Sequence, residues 1–186
     1  MHARFRRRFR RRPTRPLVIL ALLAALVALR FLFDAGPPPT PGQPLPAGEF
    51  AVERVIDGDT ILIDDHVTVR LIGVNTPETV RPEYPVEPFG PEATAFTRAF
   101  VAAGKVRLEF DRERFDRFGR HLAYVWVGPR MLNEELLRAG LGRWEPGFDY
   151  SQPVKEQFKR AQQEARTARL GIWADEPNGR SGSNGR

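Results

Sequence analysis

FAVERVIDGDTILIDDHVTVRLIGV, residues 50 to 74, alternates branched apolar residues with polar ones and is interrupted at Asp57-Gly58 and at Asp64-Asp65. Such alternation suits β-strands, whose successive side chains leave opposite faces, and Val and Ile pack well on a pleat. Asp-Gly and Asp-Asp supply turn chemistry between the apolar runs. The spacing therefore predicts three strands, Phe50 to Ile56, Thr60 to Ile63 and Val67 to Val74, joined as a meander.

The pattern changes downstream of the meander. Gly90-Pro91-Glu92 opens a helix, because proline at the first helical position loses no hydrogen bond and a glutamate follows in the first turn. Ala93, Phe96, Phe100 and Val101 recur at helical spacing before Gly104 stops it. Val106 to Phe110 and His121 to Val127 read as two further strands, separated by the charged connection Asp111 to Arg120. Helices over Leu132 to Ala139 and Val154 to Leu170 each have a glycine beyond them, at 140 and 171. Five short strands with an inserted helix suit a small Greek-key barrel of the oligonucleotide-binding (OB) type, here with three α-helices, an α+β arrangement.

Residues 49–175 form this predicted domain, and its flanks have other compositions. The 186-residue chain carries +6, yet the first fifteen residues hold eight arginines and no acid. Subtracting those eight from +6 leaves −2, so the basic balance belongs to an arm (residues 1–15) and any basic surface on the domain must be local. Within 16–33, LVILALLAALVAL (17 to 29) followed by Arg30 and Phe31-Leu32-Phe33 reads as a signal-anchor, with a cleaved signal peptide as the alternative. The positive-inside rule then exports everything after it, tethered to the membrane or secreted. Residues 34–48, with prolines at 37, 38, 39, 41, 44 and 46, read as an extended spacer, and 176–186 as a disordered polar tail. The chain has no cysteine, which excludes disulfides, thiolate metal sites and a cysteine nucleophile. Nothing in it calls for a protein partner, and a monomer is expected.

Acids and arginines gather in three places: Asp57-Gly58-Asp59-Thr60, Arg70 to Glu78 (RLIGVNTPE) and Asp116 to Arg120 (DRFGR). Cleaving a phosphodiester requires an oxygen-ligated cation, a base for water and fixed positive charge around phosphorus. Arginine suits the last task because its planar fork bonds phosphate oxygens in pairs and stays charged. Each segment also has a plainer reading. Asp57-Gly58 alone is a hairpin turn, and its spacing is not that of an EF-hand. Arg70 alternates with Val69 and Leu71 and by period is a solvated strand residue. Thr76-Pro77-Glu78 alone is a turn, and His2, His66 and His121 have no ligand spacing.

Taken in order, VIDGDTILI (55 to 63), VRLIGVNTPET (69 to 79), FGPEATAFTR (89 to 98), DRFGRHLAYVW (116 to 126), MLNEELLRAGL (131 to 141) and LGIW (170 to 173) resemble the staphylococcal nuclease, or thermonuclease-like, family from about Val52 to Trp173. The resemblance implies an OB barrel with three helices and calcium-dependent hydrolysis of DNA and RNA, leaving 3′-phosphates. It implies Arg70, Glu78 and Arg120 as catalytic residues. It implies Ca²⁺ on Asp59, on Asn75 and on the backbone carbonyl of Thr76, with Asp57 supporting from close by. Arg117 and Phe118 are placed to hold substrate, Phe118 by stacking on a base or, alternatively, packing at the barrel edge. Asn75 stands where the family commonly has an aspartate, which removes one negative charge from the cation's ligands.

Overall fold

A computed structural model describes residues 44–79 and 85–175. The arm, the apolar segment 16–33, most of the proline-rich spacer and the tail lie outside those residues. Among the described residues, no helix is long and apolar enough to cross a membrane.

The meander forms as antiparallel strands β1 (Gly48–Asp57), β2 (Thr60–Ile63) and β3 (Val67–Leu71). β1 pairs by its first half with β5 (Lys105–Glu109) and by its second half with β2. Two register shifts against β2, between Val52 and Arg54 and between Val55 and Asp57, accompany this change of partner. Bulges of this kind bend and twist a strand, which is how a short sheet curls. β6 (His121–Val127) pairs antiparallel with β5 and, on its other edge, parallel with β3 through Val69↔His121, Arg70↔Leu122 and Leu71↔Ala123. That parallel seam closes a five-stranded barrel in the order β3-β2-β1-β5-β6.

Two very short pairings lie outside the predicted set. β7 (Arg130–Met131) extends β6 as a hairpin, and β4 (Val74–Asn75) pairs with β8 (Arg143–Trp144). The third predicted strand ran to Val74, but β3 ends at Leu71 because Gly73 takes a left-handed φ of 77°. A side chain there would also strike Phe158 and the Tyr150 hydroxyl, both at 2.8 Å. Among the described residues the α-helices are α1 (Gly90–Phe100), α2 (Leu132–Arg138) and α3 (Gln152–Thr167). α1 lies against β1, α2 against β6, and α3 against α2.

Ile61, Ile63, Val69, Leu71, Leu108 and Leu122 are fully buried in the core, each contributing roughly 1.5–3 kcal/mol by removal from water. Leu45, inside the proline-rich stretch, joins this core, and its carbonyl accepts from the Arg114 guanidinium. His121 is buried between the rings of Phe110 and Phe115, while His66 sits in the β2–β3 turn with φ 66° and bonds Glu53.

Asn133, at the start of α2, is 0% exposed and makes three hydrogen bonds to backbone. Its Nδ2 donates to Ile72 O (2.9 Å) and Ala123 O (3.2 Å), and its Oδ1 accepts from Val125 N (3.0 Å). It thereby ties the end of β3 to β6, alongside the Leu71↔Ala123 pair that closes the barrel.

Candidate active site

Asp57, Gly58 and Asp59 form the β1–β2 turn. The Asp59 N–H donates to Asp57 Oδ1 at 3.1 Å, a side-chain cap common in Asp turns. Gly58 is required by space, since a Cβ there would lie 2.7 Å from Thr76 Oγ1 and 2.8 Å from Ala93 Cβ. Its carbonyl accepts from Thr97 Oγ1 of α1 at 2.6 Å. The turn is thus held by α1 on one side and by Thr76 on the other.

Asp59 is buried and bonded on both oxygens. Oδ2 accepts the Thr76 N–H (2.7 Å) and hydroxyl (3.0 Å) and pairs with Arg70 Nη1 at 2.9 Å, while Oδ1 accepts the Thr60 hydroxyl at 3.1 Å. Arg70 is only 7% exposed, contrary to its alternation. β3 has a strand on both edges here, and the side chain folds back to donate to Leu71 O (3.2 Å) and Asn75 Oδ1 (3.1 Å). The guanidinium therefore links Asp59 to Asn75. Because Asn75 is uncharged, Asp59 is the carboxylate that balances Arg70 there.

In the Asp116 to Arg120 turn the Asp116 carboxylate, its side chain 6% exposed, organises the rest. Its Oδ1 accepts the N–H groups of Phe118 (2.8 Å) and Arg120 (3.0 Å), and Oδ2 pairs with Arg120 Nε at 2.6 Å. Phe118 is left 69% exposed, which removes barrel-edge packing as its role. The guanidinium carbons of Arg117 and Arg120 lie 4.7 Å and 5.5 Å from its ring centroid.

Arg70, Asn75, Arg117, Phe118 and Arg120 line one open cleft of about 410 Å³. Glu78 is not in that lining. Its N–H donates to Glu87 Oε2 (3.1 Å), its carbonyl accepts from Glu87 N (3.0 Å), and its Oε1 accepts the Thr79 N–H (3.0 Å). The structure thus gathers both predicted arginines with the predicted substrate contacts, sets Asp59 against Arg70, and holds Glu78 on the loop beyond. Glu113, Glu145 and Phe148 line the same cleft and were not read from sequence. They come from connections whose course depends on tertiary packing, and no local pattern marks them.

Burial, and after it the charge of Asp59, push the Asp57 carboxyl up to about 6. A cation beside this turn would relieve that unfavourable ionisation. The available donors, carboxylates of Asp57 and Asp59 and the amide of Asn75, are hard oxygens of the kind calcium takes. Among the described residues there is no cluster of three or more His, Cys, Asp or Glu side chains suited to a metal. The donor set therefore fits a hard cation while offering it little charge.

A closed OB barrel with three arginines and an exposed aromatic ring at one cleft has the form of a protein that handles nucleic-acid strands. The family model described as Staphylococcal nuclease homologue matches residues 68–175. The chain is 39% identical to Thermonuclease of Staphylococcus hyicus over 169 residues, covering 87% of this chain and 98% of that protein. It is 42% identical to Thermonuclease of Staphylococcus intermedius over 165 residues, covering 86% and 96%. With Endonuclease YncB of Bacillus subtilis the identity is 39% over 127 residues, covering 66% and 60%. The chain belongs to the staphylococcal nuclease family, and it is a nuclease.

Proposed function

We propose that this nuclease is a calcium-dependent phosphodiesterase that hydrolyses DNA and RNA with little sequence specificity, breaking the P–O5′ bond to leave 3′-phosphates. The observation that carries the reading is the convergence of Arg70, Arg120 and Phe118 on one cleft. Arg70 and Arg120 bond the non-bridging oxygens of the scissile phosphate, more strongly as negative charge accumulates in the transition state. Arg117 adds positive charge, and Phe118 stacks on a base, which holds a strand without reading its sequence.

Glu78, on the loop beyond that cleft's lining, takes a proton from the attacking water or at the least orients it when substrate is bound, and the water oxygen bonds to phosphorus. The P–O5′ bond breaks, and the departing O5′ takes up a proton to become a hydroxyl. Asp59, Asn75 and the Thr76 carbonyl would hold Ca²⁺, with Asp57 in support, and a bound cation would polarise the phosphate. Residues 17–33 support export of the domain, tethered to the membrane if that segment is retained.

The test is hydrolysis of single-stranded DNA by the full chain, with calcium and with chelator, beside Glu78→Gln and Arg120→Ala. Chelator should abolish cleavage, and Glu78→Gln should lower kcat by about 10²- to 10⁴-fold. Undiminished cleavage in chelator removes the metal from the scheme, and unchanged kcat in both variants removes the residue roles. For the tether, an intact residue 1–33 segment in the membrane fraction is the expected result, and a mature chain starting near residue 34 in the medium overturns it.

A further inference from the structure

The cleft that holds Arg70 and Arg120 does not end at Asn75. Asn75 also lines an adjoining open cleft of about 290 Å³, with Thr76, Pro77, Phe89 and Arg143. Asn75 in β4 and Arg143 in β8 are register partners, so their backbones lie one strand spacing, about 4.8 Å, apart across the pair. The two clefts thus share a residue, and each has arginine in its wall.

Arg143 is held differently from the arginines of this domain that pair with acids. Arg107, Arg112, Arg130 and Arg138 each pair with a carboxylate. The Arg143 guanidinium instead lies over the buried Trp173 ring, 4.5 Å from its centroid, and among the described residues no Asp or Glu pairs with it. A guanidinium held by a ring rather than by a carboxylate keeps N–H donors available to another partner. Glu87 lines the same cleft, where its Oε2 accepts the Glu78 N–H at 3.1 Å, and among the described residues no ion pair joins it to Arg143. Pro77 and Phe89 supply an apolar wall.

We propose that Arg143 binds a second phosphodiester of the substrate, next along the strand from the one held by Arg70 and Arg120, so that the adjoining cleft is a backbone subsite for longer nucleic acids. The proposal rests on the first cleft being the place of reaction. It predicts a contribution that grows with chain length and is independent of base sequence, because a guanidinium on a phosphate reads charge and not bases.

The experiment compares the full-length chain with Arg143→Gln, Arg143→Lys and Arg120→Ala, on a thymidine dinucleotide and on a twelve-residue oligothymidylate, across a salt series. Arg143→Gln should raise KM for the twelve-mer about five- to tenfold, of the order of one charged contact, with kcat unchanged. Its kinetics on the dinucleotide, which has no second phosphodiester, should stay as they were. The slope of log KM against log salt should fall by about 0.7, the value for one phosphate contact on a single strand, and Arg143→Lys should restore most of it. Equal effects of Arg143→Gln on both substrates, or a lowered thermal midpoint with twelve-mer KM unaltered, would assign Arg143 to packing on Trp173 and overturn the subsite. Arg120→Ala separates the two levels. If it leaves dinucleotide turnover intact, the first cleft is not the reaction site and both readings fall; if it abolishes turnover while Arg143→Gln changes nothing, the subsite alone falls.

Discussion

Replacing Asn133 by alanine tests how the barrel is held shut. The side chain is fully buried and serves three backbone groups: Val125 N–H, Ile72 O and Ala123 O. Ala123 O keeps a second donor, Ile72 N at 3.1 Å, so truncation leaves two groups without their partner, one donor and one acceptor. An orphaned buried group costs about 1–3 kcal/mol, which gives a loss of about 2–6 kcal/mol. With a urea m-value of roughly 2 kcal/mol/M, the unfolding midpoint should drop by about 1–3 M. Asn133→Asp sharpens the test, because a carboxylate still accepts from Val125 N but, once ionised, faces two carbonyl oxygens it cannot serve. Its folded pKa must then rise above the unfolded value near 3.9, so the variant binds more protons folded than unfolded and loses stability as pH rises through that window. Equilibrium unfolding by far-ultraviolet circular dichroism at pH 4 and pH 7 reads both effects. An alanine variant within 1 kcal/mol of the parent, or an aspartate variant more stable at pH 7 than at pH 4, would refute the reasoning.

Three further predictions concern the site. Because Asp57 is raised to about 6 by burial and by Asp59, calcium must displace its proton at lower pH. Calorimetric calcium affinity should therefore climb from pH 5 to about 6 and level off above it, and the metal-free protein should lose stability over about pH 4 to 6, as the unfolded chain gives up this proton first; a flat affinity profile contradicts this. Arg70→Ala leaves Asp59 buried without its partner, so stability should fall by about 3–5 kcal/mol, and the Arg70→Ala/Asp59→Ala double variant should lose less than the sum of the singles; strict additivity in denaturant melts would show that the pair is uncoupled. Phe118→Ala removes an exposed ring, so stability should stay within about 0.5 kcal/mol, while KM for single strands should rise by roughly 5- to 150-fold from lost base stacking; an unchanged KM takes Phe118 out of substrate binding.

The parts of this fold that sequence discloses are those governed by local periodicity. The strands from Phe50 to Leu71 are short branched apolar stretches set off by Asp57-Gly58 and Asp64-Asp65, and α1 carries its own start signal in Gly90-Pro91-Glu92. β4, β7 and β8 are two residues each, too short to show any period, and depend on tertiary pairing. Arg70 shows the limit most directly. Alternation assigns it to solvent, yet a second partner strand and an acid in a separate turn draw it inward, and neither is visible in the residues around it. Leu45 reads as spacer because prolines surround it, although its side chain packs in the core. The arginine positions were legible through short motifs, whereas Glu113, Glu145 and Phe148 reach the cleft on loops without one.

Closing the barrel and pairing the arginines are one structural event. Arg70 lies in β3 and Arg120 immediately precedes β6, fifty positions later in the chain. The parallel seam that shuts the barrel, Val69↔His121 to Leu71↔Ala123, is also what sets these two residues at one end of it. Arg120 is then fixed by the Asp116 turn and Arg70 by Asp59, whose own turn is held by Thr97 from α1 and by Thr76. The spacing of the two guanidiniums therefore depends on contacts remote from the cleft. Asn133, which bonds Ile72 O and Ala123 O at the end of the seam, touches neither arginine, yet it holds the register from which both are placed. Loss of its amide should consequently reach activity through the seam. Turnover by the folded fraction of Asn133→Ala should fall by more than its loss of stability accounts for, because phosphate contacts that must be met by both arginines at once are sensitive to displacements of about 1 Å.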